Sequence, residues 1–269
     1  MGEAGLPDIF TLDALPAPPL PRPGEQWALF LDIDGTLVDF ETNPDDVKLP
    51  PDLRLLLERV RSGHGDALAI LSGRSLSDVD RVTAPCEFVA GAMHGAERRS
   101  SSGEIVRMFA PESTSERVGR ACADGVRQWG GVSVESKNAA AFAIHYRQAP
   151  AMETNVRELA QMIAEDTGGE FAVQFGELVA ELKPSGATKG ASVLAFAGEA
   201  PFAGRRPVVV GDDLTDESAF KQALALGGFG IIVGDRRPTQ ASYALQGPAA
   251  TRAWLHELAC HLQQRTDSG

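Results

Sequence analysis

From Trp27 onward, short apolar runs alternate with amphipathic stretches. "WALFLDIDGT" (27–36) is an apolar run that ends in turn residues. "PPDLRLLLERVRSG" (50–63) places Leu53, Leu56, Leu57 and Val60 at helical spacing, with proline at its start and Gly63 at its end. "DALAILSGR" (66–74) is a second apolar strand. "SLSDVDRV" (75–82) opens a helix with Ser75 and carries Asp78 three residues on, a capping arrangement. "EFVAGAMHG" (87–95) is a third strand. This β-α-β-α-β order predicts a parallel sheet covered by helices.

The middle of the chain has a different rhythm. A helix over 113–131 precedes two alternating runs, "VSVESK" (132–137) and "AAFAIHYRQ" (140–148); a helix over 151–169 precedes "FAVQFG" (171–176) and "LVAELKP" (178–184). Helix, two strands, helix, two strands predicts an α+β module. From Thr188 the earlier style returns, with helices over 188–200, 215–228 and 249–264 and strands at "RRPVVVGDD" (205–213) and "FGIIVG" (229–234). The expected organisation is a proline-rich arm over 1–26, a parallel α/β core over 27–109 and 183–269, and an inserted α+β domain over 110–182. Trp254, Leu255 and Leu258 are expected in the core.

Four polar features fall at strand ends or helix starts, where sites of parallel α/β sheets form. Asp32 and Asp34 interrupt the first strand one residue apart, and both can face one site. Two such charges repel, and a hard cation such as Mg²⁺ relieves the repulsion, taking carboxylates together with substrate phosphate oxygens. Ser72, followed by Gly73 and Arg74, places a hydroxyl and backbone amides before a helix N-terminus, an arrangement suited to an anion and also to a plain turn. Lys189 starts a helix and can hold both a phosphate and a carboxylate nucleophile. "GDDLTDE" (211–217) supplies a second acidic pair. Thr215 reads as an N-cap there, so Asp216 and Glu217 are accounted for by the helix dipole. Asp212 and Asp213 are not, and are expected to complete a metal site, Asp212 the more directly.

The net charge of −12 excludes a basic nucleic-acid surface and adsorption to anionic membrane. Three scattered cysteines, Cys86, Cys122 and Cys260, form no disulfide or zinc pattern. With no apolar run long enough to span a bilayer and no signal-peptide pattern, a cytoplasmic protein is expected, without membrane or nucleic-acid partners and as a monomer.

Taken in order, D-x-D-G-T, Ser72, Lys189 and GDD resemble the four motifs of the haloacid dehalogenase superfamily of phosphotransferases. "GAMHGAERR" (91–99), "AIHYRQAP" (143–150), "ELKPSGATKG" (181–190) and "GDDLTDESAF" (211–220) are similar to the trehalose-6-phosphate phosphatases within it. The resemblance runs from about Trp27 to the closing helix. Ile33 stands where leucine is frequent. It implies a doubly wound core with an α+β cap between the second and third motifs. It also implies a Mg²⁺-dependent phosphatase of trehalose biosynthesis, acting on a sugar phosphate. Asp32 would be the nucleophile and Asp34 the acid and then the base. Asp32, the Asp34 carbonyl and Asp212 would hold the metal with Asp213 in support, and Ser72 and Lys189 would hold phosphate oxygens. Glu135, Lys137, His145, Arg147, Glu181 and Lys183 are candidates for sugar recognition, against the reading that they form a solvated sheet face. The segment 94–99 is expected to be a loop at the same rim. His94 there reads as a packing histidine, and Arg98 and Arg99 as groups that order the cap or touch substrate. Two other readings stay open: the same chemistry on another sugar phosphate such as sucrose phosphate, and a non-enzymatic phospho-acceptor, which would need no cap.

Overall fold

The computed structural model describes residues 15–41, 43–108, 110–137 and 141–266. Its first unit comprises β1 (Trp27–Leu31), α1 (Pro51–Gly63), β2 (Leu68–Leu71), α2 (Leu76–Thr83) and β3 (Val89–Ala92), then β4 (Glu97–Arg99) and β5 (Ile105–Arg107). The middle contributes α3 (Glu112–Val126), β6 (Ser133–Lys137), β7 (Ala141–His145), α4 (Glu153–Glu165), β8 (Phe171–Gly176) and β9 (Val179–Pro184). The chain closes with α5 (Lys189–Ala197), β10 (Arg206–Gly211), α6 (Glu217–Ala225), β11 (Phe229–Val233), β12 (Tyr243–Leu245) and α7 (Pro248–Thr266).

Eight strands form one sheet in the order β12-β11-β10-β1-β2-β3-β4-β5, parallel from β12 to β3 and antiparallel thereafter. A buried parallel strand is apolar on both faces, and β1 shows how the alternation sorts the helices. Trp27, Leu29 and Leu31 pack with α1, α2 and α7, while Ala28 and Phe30 pack with α5 and α6 on the other side. The sheet is thus doubly wound. The chain runs outward from β1 through β2 and β3, then returns to β1's other flank through β10. The carboxyl ends of β1 and β10 therefore flank the point where the strand order reverses, which in such sheets is the place for a ligand.

The second sheet is antiparallel, in the order β6-β7-β9-β8. Phe142, Ile144, Ala180 and Leu182 point to one face and pack with Val118 and Cys122 of α3 and Val156 and Ala160 of α4. This core is separate from those of the large sheet.

Two elements differ from the sequence reading. Residues 97–99 are not loop but strand β4, hydrogen-bonded back onto β3, with β5 beyond it. Charge hid the strand: Glu97 and Arg99 are buried, and ion pairs replace apolar packing. Arg99 forks onto Asp80 at 2.6 and 2.9 Å, and Glu97 pairs with Arg107 at 2.9 Å. Arg98 points to the opposite face, where it pairs with Glu199 and lies over Phe196. Both arginines are therefore tied to α2 and α5 rather than to cap or substrate. The described part of the proline-rich segment also docks on the large sheet. The Ala244 amide donates to the Pro16 carbonyl at 3.0 Å and Trp254 Nε1 to that of Pro19 at 3.2 Å.

Among the described residues no helix is long and apolar enough to cross a membrane. The face of the large sheet beneath α5 and α6 is built on three phenylalanines, with Phe30 5.6 Å from Phe202 and 6.0 Å from Phe196 between ring centroids. Phe30→Ala should lower stability by about 3–5 kcal/mol, read as a shift of the urea midpoint.

Candidate active site

β1 stops at Leu31, one residue before the first aspartate. Asp32 is buried, Ile33 turns back into the core, and Asp34 opens toward a cavity of about 720 Å³ that both aspartates line. Gly35 makes the turn possible. Its φ is 71°, and a Cβ there would lie 2.3 Å from an Asp212 oxygen. Only glycine lets the end of β1 approach the end of β10 this closely.

On the cavity floor, the buried Lys189 donates from Nζ to Asp32 Oδ2 at 2.8 Å and to Asp216 Oδ1 at 2.7 Å. Thr188 caps α5, and this places Lys189 at the first helical position. Asp32 Oδ1 accepts from the Ile33 amide at 2.8 Å, so its rotamer is fixed from two sides. The other oxygen of Asp216 accepts from the amides of Asp212 and Asp213, each at 3.0 Å. Asp212 in turn accepts from the Thr36 hydroxyl at 2.9 Å.

The second acidic pair thus differs from its sequence reading. The cap of the turn is Asp213, not Thr215: its carboxylate accepts from the Leu214 amide at 2.6 Å, and Asp216 completes a capping box. Asp213 lies on the cavity wall but is exposed and committed to that turn. Asp216, taken from sequence as a helix-dipole residue, is almost fully buried and holds both the lysine and the turn. A buried acid in the first helical turn looks in sequence like an exposed one; only its partner Lys189, 27 residues away, sets them apart.

Three carboxylates, Asp32, Asp212 and Asp216, present oxygens within 4.8 Å of one another, against one ammonium. Burial pushes the Asp32 carboxyl well above the usual carboxylate range; Lys189 opposes the rise, and Asp216 and Asp212 add to it. Burial raises Asp212 as well, to about 6, with the Thr36 hydrogen bond opposing and Asp216 adding. Burial works to lower Lys189, but the carboxylates of Asp216 and Asp32 outweigh it and hold the lysine above its ordinary value. The floor therefore lacks positive charge. With Asp216 engaged by Lys189 and two amides, Asp32 and Asp212 are the carboxylates left to face an added cation. An oxygen set of this kind fits a hard divalent ion.

On the other wall, Arg74 forks onto Asp34, donating from Nε and Nη2 at 2.7 Å each, and anchors itself on the Pro44 carbonyl at 2.9 Å. Arg74 lines the cavity, and the group it holds here is Asp34. The Asp34 hydrogen bond, outweighing burial, raises the pKa of Arg74 further. Ser72 is buried beneath this wall, its hydroxyl accepting from the Arg74 amide at 3.2 Å, while Gly73 lines the cavity above it.

The small sheet supplies the opposite boundary. Glu135, Ala143, Glu181 and Gln174 pair in one row across β6, β7, β9 and β8 and so share one face. His145 and Lys183, two residues along their strands, belong to that face too. It is the face away from α3 and α4. It is not simply solvated: Glu181 and Lys183 are buried, and Lys183 donates to Gln174 at 2.5 Å. Glu135 reaches the cavity and pairs with His145 at 2.9 Å. Ser136 also lines it, and neither Ser136 nor Gln174 was picked out from sequence. Glu181 comes within 3.6 Å of His94. Arg147 lies beyond the end of β7, is exposed, and is not among the lining residues. The side chain of Lys137 falls outside the described residues.

The model of the trehalose-phosphatase family matches residues 30–249, a span that covers the first aspartate pair, the lysine and the second. The chain belongs to the trehalose-phosphatase family. Its members here include the trehalose-6-phosphate phosphatase of Escherichia coli (strain K12), 38% identical over 248 residues and 92% of each chain. A probable trehalose-phosphate phosphatase of Sinorhizobium fredii is 41% identical over 221 residues, 82% of each chain. The C-terminal domain of C. albicans trehalose-6-phosphate phosphatase superposes with a TM-score of 0.76 over 91% of this chain and 98% of that one, at 21% identity, and so shares the fold. As a member of this family the protein is a phosphatase, a phosphoric monoester hydrolase.

Asp216→Ala should cost about 1–3 kcal/mol, because it leaves Lys189 with Asp32 as its one hydrogen-bonded carboxylate and deprives the Asp212 and Asp213 amides of their acceptor; urea unfolding checks this. Asp212 has the opposite sign. Its folded-state pKa of about 6 exceeds the ordinary 3.8, so the folded chain holds that proton more tightly. In the metal-free protein its burial therefore costs stability as pH rises from near 4 through about 6, and the cost is relieved on the way back down. Asp212→Asn in EDTA should be the more stable protein at neutral pH and lack this component; a denaturation midpoint that tracks the unsubstituted protein at every pH would show otherwise.

Proposed function

We propose that this chain hydrolyses trehalose 6-phosphate to trehalose and inorganic phosphate, with Asp32 as nucleophile, Asp34 as general acid and base, and Mg²⁺ as cofactor. The observation that carries the reading is the buried Asp32–Lys189–Asp216 anchor on the floor of a cavity that Glu135 and Ser136 of a second sheet also line. A carboxylate held on a lysine suits attack on phosphorus. A polar sheet face with paired acids, bases and an amide suits a polyol, because every sugar hydroxyl removed from water needs a partner. The names of the relatives support trehalose 6-phosphate as the substrate.

In the first half-reaction an oxygen of Asp32 bonds to phosphorus and the bond from phosphorus to the sugar oxygen breaks. Asp34 gives that departing oxygen a proton, and the product is an aspartyl phosphate. In the second, Asp34 takes a proton from a water that attacks the phosphorus, releasing phosphate and restoring Asp32. The Arg74 fork sets the position of Asp34 with two charge-assisted bonds. Ser72, Gly73 and the Lys189 ammonium hold the phosphate oxygens in line with Asp32, which is chiefly electrostatic positioning. Asp32, Asp212 and the Asp34 carbonyl would hold Mg²⁺, with Asp213 keeping the turn that aims Asp212. When bound, the ion offsets repulsion between carboxylate and phosphate and stabilises charge on the transferring group. A lasting phospho-acceptor has no use for a second sheet over its site, and this favours the hydrolase.

Phosphate release should be fastest from trehalose 6-phosphate in a panel with sucrose phosphate and simple hexose phosphates, vanish in EDTA and return with Mg²⁺. Asp32→Asn should fold normally by circular dichroism and lose at least about 10³-fold in kcat. Equal rates across the panel would remove the substrate assignment, and insensitivity to chelation would remove the metal.

A further inference from the structure

Residues 93–95 lie where the phosphate side of the site, the start of α5 and the small sheet meet. Met93 and His94 both have left-handed backbone, with φ of 48° and 53°. Such strain in non-glycine residues persists only where the surroundings enforce it. Here they do. The His94 amide donates to the Ser72 carbonyl at 3.0 Å and the Met93 amide to the Arg74 carbonyl at 2.8 Å, so the strained pair brackets Gly73. The His94 ring packs against that glycine: a Cβ at residue 73 would be 2.5 Å from Cε1 and 2.7 Å from Nε2. On the far side, Gly95 (φ 102°) presses on the backbone before Lys189, and a Cβ there would be 2.2 Å from the Thr188 carbonyl oxygen.

What the strain achieves is the placement of one imidazole. His94 lines the cavity, and its Nε2 stands 3.6 Å from Glu181 Oε2 on the polar face of β9. That separation is within ion-pair range and just beyond a hydrogen bond. An approach of a few tenths of an ångström between the small sheet and the core converts it into one. Glu181 lies in the same cross-strand row as Glu135, which faces the cavity.

We propose that His94 is a positioning residue that couples the small sheet to the phosphate loop. When the sugar of a substrate draws the polar face of the small sheet inward, Glu181 engages His94. The imidazole, seated on Gly73, then fixes the loop that holds the phosphate. The inference rests on the sugar-phosphate reading of the cavity. It makes His94 matter for a substrate that reaches both sheets and far less for an ester that fills only the phosphate end.

His94→Asn is the variant of choice, because asparagine accepts left-handed backbone and is too short to bridge to Glu181. Its kcat/KM for trehalose 6-phosphate, divided by that for p-nitrophenyl phosphate, should fall at least about tenfold. Glu181→Gln should lower the same ratio, and the double variant should lose little more than the worse single one, since both remove one contact. An equal loss on both esters would make His94 merely structural and overturn the coupling. So would losses that multiply in the double variant. If the unsubstituted protein cleaves p-nitrophenyl phosphate but not trehalose 6-phosphate, the substrate reading falls, and this inference falls with it; an unchanged ratio in His94→Asn removes the coupling alone.

Discussion

The site rests on one buried ammonium. Lys189 sits between Asp32 and Asp216 with almost no solvent access. A charge in that position is tolerable only with partners at hydrogen-bond distance. Meeting this condition joins three segments far apart in the chain: the end of β1, the start of α5 and the turn after β10. Lys189 holds two of the three clustered carboxylates, and the third, Asp212, accepts from the Thr36 hydroxyl. Burial raises Asp32 and Asp212, and the neighbouring carboxylates add to the rise.

The walls follow from what surrounds that floor. Arg74 fixes Asp34 from the side of β2, so the two aspartates of one short motif are held by different cations and sit in different environments, one buried and one open to the cavity. This separation lets two chemically identical groups take different roles. The small sheet contributes the third side. One face turns aliphatic and aromatic residues toward α3 and α4, the other carries Glu135, His145, Glu181, Lys183 and Gln174, and of these Glu135 lines the cavity. The sheet and its two helices therefore carry a core of their own.

Where charge did not hide it, the architecture was legible. The alternation of apolar runs and amphipathic helices, and the change of rhythm in the middle, correspond to the two sheets. The antiparallel extension was not legible, because Glu97, Arg98 and Arg99 read as loop residues when their partners Arg107, Glu199 and Asp80 are unknown. That Asp213 caps the turn and Asp216 turns inward to Lys189 was hidden for the same reason. Both are acids near a helix start, and sequence spacing does not say which one turns inward.

What the sequence determined by itself is the inventory and its order: two aspartates after an apolar strand, a serine and a lysine at helix starts, a second acidic cluster, and an α+β insertion between them. Local spacing fixes these, since periodicity and capping are properties of neighbouring residues. Only the tertiary structure decided which acids the lysine holds, that Arg74 turns to Asp34, and that a strained His94 stands between the Ser72–Arg74 turn and Glu181. Each of these is a contact between groups distant in the chain, and its sign and strength depend on burial, which arises only when the two sheets and their helices close around the site.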